Sequence, residues 1–313
     1  MRYPTRVSLQ HRLEYGALVV TAFLLRIMPR RLALFAGAGI GWLGWTLRIR
    51  REVVLSNLAQ ALPDASHDER VRIGARAARN FGRTVTEFLR FGGRDRRRTL
   101  ELVRVQGQEE LRTALAQRGA IVVTGHLGAW ALYVAALGMS GIPTALLVGR
   151  QRNPKVDAMI NSLPGDHISF VSHGRRAPRE LLQNLAAGKA MVLVADQHGG
   201  PRGTVAPFFG KETSTLSLPG ALVARQELPL FMMAGHRAKD GRHDLSLRRL
   251  DVPPDDGRGE EARRLRITSL CNEAIATAVL EHPDQYFWYH RRYRTPGDGR
   301  EPARPTTKSA AGR

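Results

Sequence analysis

Ile121-Val122-Val123-Thr124-Gly125-His126-Leu127-Gly128-Ala129-Trp130-Ala131 reads as a strand, a glycine stop, a histidine and the opening of a helix. The short β-branched run has the composition of a buried strand. A helical pattern follows from about Trp130 to Met139 and stops near Gly141. A strand-to-helix junction places a side chain at the mouth of a sheet, beside the free N–H groups of the helix's first turn. A neutral imidazole at His126 is suited to general-base work there, because the helix dipole disfavours its protonation and nearby N–H groups suit an oxyanion. The competing reading is a structural histidine that caps a helix.

Outward from this junction, strand and helix alternate. Val103–Val105 reads as an edge strand, followed by a helix over about Gln108–Gln117. After the helix that follows His126 come a strand at Thr144–Val148, a helix near Pro154–Leu163, a strand at Ile168–Val171, a helix near Pro178–Ala187 and a strand at Met191–Ala195. Pro229–Ala234 and Leu245–Arg249 read as further strands, and Glu261–Glu281 as a long helix. The expected fold class is therefore α/β, a central mixed sheet flanked by helices.

The amino-terminal part differs. Leu13–Met28 and Leu32–Leu47 are apolar runs separated by Pro29-Arg30-Arg31, and the second ends in Arg48-Ile49-Arg50-Arg51. Each is a little short of the roughly 20 residues a simple membrane span needs. Three readings stand: one short tilted span, a hairpin lying in one leaflet, or two core helices. The preferred one has membrane association through the first run, with the second partly against the catalytic domain. The flanking arginines suit an anionic, cytoplasmic membrane face. The expected organisation is a membrane-associating helical segment at 1–50, an α/β domain at 51–295 and a disordered tail at 296–313, rich in Gly, Pro, Arg and Thr.

The chain has 313 residues, 43% of them hydrophobic, enough for one large core. A single cysteine, Cys271, excludes an intramolecular disulfide and a cysteine-rich metal site. The formal charge of +20 is carried almost entirely by arginine, with lysine only at Lys155, Lys189, Lys211, Lys239 and Lys308. Such a surface attracts anionic partners: phospholipid headgroups, phosphorylated glycolipids, an acidic carrier protein or nucleic acid. Nucleic acid is disfavoured, since no recognised nucleic-acid-binding motif is present and aromatics are few. His236 and His243 lack partners at metal-ligand spacing, so no metal is expected. Phosphate-binding glycine loops, dinucleotide fingerprints and the serine-hydrolase elbow are also missing from the sequence.

Gly125-His126-Leu127-Gly128-Ala129-Trp130 resembles the first motif block of the bacterial lipid A acyltransferases, a branch of the lysophospholipid acyltransferase superfamily. That pattern is His, four residues, then Glu or Asp. Here the fifth residue after His126 is Ala131. Further segments resemble the family in order: Arg50–Leu58 with Ala61-Leu62-Pro63, Leu147–Arg150 with Asn153-Pro154, Val192–Gln197, Gly203–Lys211 with Ser214-Thr215, and Tyr286–Arg292. The resemblance implies a membrane-associated O-acyltransferase on the cytoplasmic face of the inner membrane. It would take a fatty acyl chain from acyl carrier protein or CoA to a glycolipid hydroxyl such as that of a lipid A precursor, without a cofactor. His126 is then the base, and Arg150 and Asp196 are the substrate-binding candidates, Asp196 placed either to pair with Arg150 or to reach His126. Ala131 leaves three options: a backbone carbonyl in place of the acid, a distant carboxylate such as Asp196 or Glu87, or weak catalysis; the alternative function is a non-catalytic lipid-binding member of the fold.

Overall fold

The computed structural model describes residues 8–293; the expected tail and the first seven residues lie outside them. The chain opens with helices α1 (Leu9–Ile27), α2 (Arg30–Thr46), α3 (Arg51–Ala61) and α4 (His67–Phe91), then two single turns, α5 (Arg94–Arg97) and α6 (Thr99–Leu102). Alternation follows: β1 (Val103–Gln106), α7 (Gln108–Gln117), β2 (Ala120–Thr124), α8 (Trp130–Met139), β3 (Thr144–Val148), α9 (Pro154–Ser162), β4 (Ile168–Ser172), α10 (Ala177–Ala186) and β5 (Ala190–Val194). A hairpin of β6 (Thr204–Phe208) and β7 (Lys211–Thr215) leads to α11 (Leu218–Gln226), β8 (Leu230–Arg237), β9 (His243–Arg249) and α12 (Glu260–Glu281).

Seven strands form one mixed sheet in the order β1-β9-β8-β2-β5-β3-β4, as the α/β reading anticipates. Within this sheet, among the described residues, only β8 and β9 pair antiparallel. β2 and β5 are covered on both faces, which is why they read as unbroken apolar runs rather than alternating ones. One face packs α8 through Leu132, Val134 and Leu137 against Val122 and Val192. The other packs α10, α11 and α12 through Leu181, Val223 and Ile275 against Ile121, Val123 and Leu193.

This topology creates the crevice that matters. β2 leads through α8 to β3 on one side, whereas β5, its neighbour, leads back through α11 to β8 on the other. Right-handed crossovers that run in opposite directions lie on opposite faces, so the carboxyl ends of β2 and β5 are left uncovered between them.

The sequence reading has no β6–β7 hairpin and no α11. Pro207 within Thr204–Phe208 argues against a strand, yet a small two-stranded sheet has room for it at an edge. The basic stretch Gly92–Arg98 contains the turn α5.

α1 and α2 pack on α4 along one face and are exposed along the other. Gly37 and Gly41 of α2 meet Gly82 and Ala78 of α4 so closely that a Cβ on any of the three glycines would collide with the facing backbone. Buried polar groups fasten the same joint. Arg90 donates to the Leu25 carbonyl and, at 2.8 Å, to the Met28 carbonyl, satisfying the open end of α1, and it pairs with Asp95 at 2.7 Å. Arg30, at the start of α2, pairs with Glu87 of α4 at 2.6 Å. The outward face carries Leu13, Phe23, Ile27, Phe35, Ile40 and Leu47, with Phe35 76% exposed. Among the described residues no single helix is long and apolar enough to cross a membrane; α2 and α3 have the length together but meet at 93°.

Candidate active site

The parallel pairing of β2 with β5 sets Thr124 opposite Val194. His126 and Asp196 each lie two residues further on, so strand register alone brings them face to face. His126 Nδ1 is 2.8 Å from Asp196 Oδ1, and the His126 backbone N–H donates to Oδ2, also at 2.8 Å. A carboxylate only accepts here, so Nδ1 carries the proton and Nε2 keeps its lone pair. Burial drives the imidazole pKa down, but the charge and hydrogen bond of Asp196 outweigh it and leave the pKa above its ordinary value. Burial pushes Asp196 up, and the His126 charge and hydrogen bonds, with a further one from Tyr286, bring it below the usual carboxylate range.

The loop that carries His126 is tied on every side. Phe287 N–H donates to the His126 carbonyl at 3.0 Å, Gly128 N–H to the Gln285 carbonyl at 2.9 Å, and Thr84 Oγ1 to the Gly128 carbonyl at 3.1 Å. Gly128 sits at φ +57°, and a Cβ there would fall within 2.6 Å of both the Tyr133 hydroxyl and the Gly235 carbonyl. Only glycine fits this turn. Trp130 meets the His126 ring edge-on at 5.0 Å between centroids, and Phe287 lies at 5.9 Å. Phe81 continues this aromatic surface against Phe287 at 4.8 Å. The His126 side chain is 22% exposed, so Nε2 is within reach of a substrate. The Gln197 amide lies 3.4 Å from it.

Of the two carboxylates considered in place of the missing acid, Asp196 reaches His126 and Glu87 does not. Glu87 is buried among Arg30, Arg237 and His243, the last at 3.0 Å, with Tyr133 bonded to the far side of that imidazole at 3.0 Å. Burial pushes Glu87 up, but Arg237 and His243 hold it far below the carboxylate range. Asp196 pairs with His126 rather than with Arg150. Arg150 is exposed just past β3 and forms no hydrogen bond or ion pair among the described residues. Cys271 is buried, its thiol pushed up to about 12 by desolvation, which suits packing rather than nucleophilic chemistry.

The Tyr286–Arg292 segment binds the site together. Leu127 bridges to Tyr286, His198 N–H donates to His290 Nε2 at 3.0 Å, and Asn57 of α3 donates to the Trp288 carbonyl at 2.7 Å. The roles of Tyr286, Thr84 and Gln285 are not legible in the sequence; a buried tyrosine hydroxyl's need for a partner is the only local signal. A cleft of about 540 Å³ opens at the other end of the sheet, where Arg118, Pro229 and Leu230 lead into β2 and β8. Its mixed lining includes Glu110, Arg249 and Arg263.

The profile of the family described as bacterial lipid A biosynthesis acyltransferase matches residues 5–295. The chain belongs to this family. It is an acyltransferase, similar at 25% identity over 271 residues to the lipid A biosynthesis palmitoleoyltransferase of Escherichia coli K12, covering 86% of this chain and 87% of that protein. The lipid A biosynthesis lauroyltransferase of the same organism is 24% identical over 270 residues, with 84% and 85% covered. A lipid A biosynthesis acyltransferase of Shigella flexneri is similar to the same extent as the first. Within this acyltransferase family, an acid five residues after the histidine is absent here, and the carboxylate at His126 Nδ1 comes from the end of β5.

Proposed function

We propose that this chain moves a fatty acyl group from an acyl thioester, on acyl carrier protein or CoA, to a hydroxyl of a glycolipid such as a lipid A precursor. The observation that carries this reading is the 2.8 Å contact between His126 Nδ1 and Asp196, which leaves Nε2 basic and reachable. His126 Nε2 takes the proton of the acceptor hydroxyl as its oxygen attacks the thioester carbonyl. The new C–O bond forms, the tetrahedral oxyanion collapses, and the departing thiolate recovers the proton from the imidazolium, whose charge Asp196 supports. Gln197 is the amide nearest Nε2 and is assigned to hold the acceptor hydroxyl or the oxyanion. The apolar surface of Trp130, Phe287 and Phe81 suits the acyl chain next to the reacting carbonyl. The non-catalytic alternative rested on Ala131, and Asp196 supplies the charge whose loss motivated it.

The reaction takes place, in this reading, at the cytoplasmic face of the inner membrane. The exposed apolar face of α1 and α2, rimmed by Arg12, Arg31 and Arg48, supports docking into one anionic leaflet. Residues 1–50 then form the membrane-docking segment and 51–295 the acyltransferase unit. Asn153 anchors the two: its Nδ2 donates to the His11 carbonyl at 2.8 Å. Arg150 and Arg152 are exposed beside it, and Arg175 and Arg176 at the exit of β4. This arginine rim is assigned to an anionic group of the acceptor.

Purified full-length chain in detergent, given labelled acyl carrier protein and acyl-CoA, is expected to acylate a lipid A precursor in preference to a lysophospholipid. Arg150→Ala is expected to raise KM for that acceptor about tenfold, the scale of one charge-assisted hydrogen bond, while Arg300→Ala leaves it unchanged. Transfer to the lysophospholipid alone, or equal small effects of both substitutions, would contradict these assignments.

A further inference from the structure

Between the end of β3 and the start of α9 the chain carries two of the arginines assigned to the acceptor, Arg150 and Arg152. Both are exposed, and neither forms a hydrogen bond or ion pair among the described residues. The arginines therefore do not fix their own position. α9 does little for them by packing, because none of its residues is buried. Within residues 149–153 only Asn153 is buried, at 5% exposure. Its Oδ1 accepts from the Lys155 N–H at 3.1 Å and caps α9. Its Nδ2 donates to the His11 carbonyl at 2.8 Å and to Glu14 Oε2 at 3.0 Å, both on α1. Lys155 Nζ adds a contact over the Tyr15 ring at 5.3 Å, and Met159 of α9 and Leu18 of α1 pack on one small cluster around Ala22 and Leu25. A further bond, from the Gln151 N–H to Asp157 at 2.7 Å, ties the loop to α9 itself, so Asn153 decides where both stand.

The residue type carries the argument further. Capping alone does not call for asparagine, since serine and aspartate cap a helix about as well. Neither of them offers two N–H donors. An amide of this length supplies an acceptor for the cap and two donors for α1 at once. α1 in turn has two faces. By helical spacing His11, Glu14 and Leu18 stand on the side toward α9, while Leu13, Val20 and Leu24 stand on the opposite side and are exposed.

We propose that Asn153 is a positioning residue that ties the acceptor-binding arginines to α1, so that the helix facing the leaflet carries the Arg150–Arg152 loop with it as one body. This rests on the docking and acceptor assignments made above. An acceptor lipid held in the leaflet presents its anionic headgroup at a depth set by the bilayer. α1 rests at a fixed depth in the same leaflet, and the Asn153 bonds pass that depth on to the arginines. Without the tie the loop is ordered only when the acceptor binds, and that ordering weakens binding.

Hydrogen exchange of the full-length chain in detergent, read by mass spectrometry over residues 149–156, tests the tie apart from the reaction. Asn153→Asp keeps the oxygen that caps α9, removes both donors and sets a carboxylate against Glu14. It is expected to speed exchange over these residues about tenfold, the scale of one lost hydrogen bond. Adding Glu14→Gln supplies an amide that donates back to the new carboxylate, and exchange is expected to return most of the way to wild type. Glu14→Gln alone is expected to change little, because its amide oxygen still accepts from Asn153. Circular dichroism checks each fold. Asn153→Ser, which keeps a capping oxygen but is too short to reach α1, takes over if Asn153→Asp does not fold. Exchange at the wild-type rate in the Asn153 variant, or a faster rate in Asn153→Asp that Glu14→Gln does not slow, overturns the proposal. Where the acyl-transfer reading holds, Asn153→Asp raises KM for the acceptor about tenfold, leaves kcat and the KM for the thioester unchanged, and is again corrected by Glu14→Gln. The expected exchange pattern in a protein that acylates no glycolipid would sink that reading and sustain the tie.

Discussion

Replacing Asp196 by asparagine is expected to lower kcat for acyl transfer about 10⁴-fold, the scale seen when the orienting acid of a histidine base becomes an amide. The fold is expected to persist, because asparagine fills the same buried space. The loss has two sources. An amide can turn its NH₂ toward Nδ1, which moves the imidazole proton to Nε2 and converts the base into a donor. An amide also gives no charge to support the imidazolium. The pH profile separates this from simple damage. His126 has its pKa raised above 6.5 by Asp196. A base must be unprotonated, so wild-type activity is expected to fall as pH drops through a value above 6.5. In Asp196→Asn burial acts without opposition, and the residual activity is expected to have its acid limb at lower pH. Ala131→Glu is expected to leave turnover unchanged, since Nδ1 is already occupied. A marked gain from Ala131→Glu, or full activity in Asp196→Asn, would show that Asp196 does not orient the base.

Glu87→Gln is expected to destabilise the protein by about 3–5 kcal/mol, the range for breaking a buried charge cluster by removing one partner. Glu87 is 3% exposed and faces Arg30, Arg237 and His243, so the amide leaves the Arg237 guanidinium without a contact counter-charge and Arg30 with Asp95 alone, at 3.9 Å. The effect is expected to depend on pH in one direction. The folded-state pKa of Glu87 lies far below that of an unfolded glutamate, about 4.3. Its contribution is therefore full above that pH and is lost as pH falls toward the folded value. Urea unfolding of wild type and Glu87→Gln at neutral pH and near pH 3 checks both statements. A gap that is absent at neutral pH, or that widens in acid, contradicts them. The cluster joins α2, α4, β8 and β9, and Arg237 also bonds Gln285, which accepts from Gly128 beside His126. Part of any activity loss in Glu87→Gln is expected to come through this connection.

How much of this was legible beforehand depends on the range of each interaction. Local strand signals are strong where both faces are buried, so the ends of β2 and β5 can be read from Ile121–Thr124 and Met191–Ala195. His126 and Asp196 stand out as polar residues just past two such ends. Their adjacency is another matter. β3 and β4 intervene in the chain, and nothing local to Val192–Asp196 says that β5 inserts beside β2 rather than beyond β4. The sequence therefore offers Asp196, 70 residues from His126, only as one option beside Glu87 and a backbone carbonyl. Glu87 is named as a candidate acid, but its place in a buried charge cluster is hidden for the same reason. In sequence it is one charged residue of an amphipathic helix, and its partners Arg237 and His243 are about 150 residues off. The β6–β7 hairpin is hidden by Pro207, and the hydrogen bonds Arg292 donates along β7 are long-range.

The central claim is that His126 is the base of an acyl transfer, and product formation by wild type and His126→Ala tests it most directly. Both proteins are purified at full length in detergent, shown to have the same circular dichroism, and given one labelled acyl thioester with a lipid A precursor. The account predicts an acyl ester from wild type and none above background from His126→Ala. The same amount of product from both proteins would contradict it.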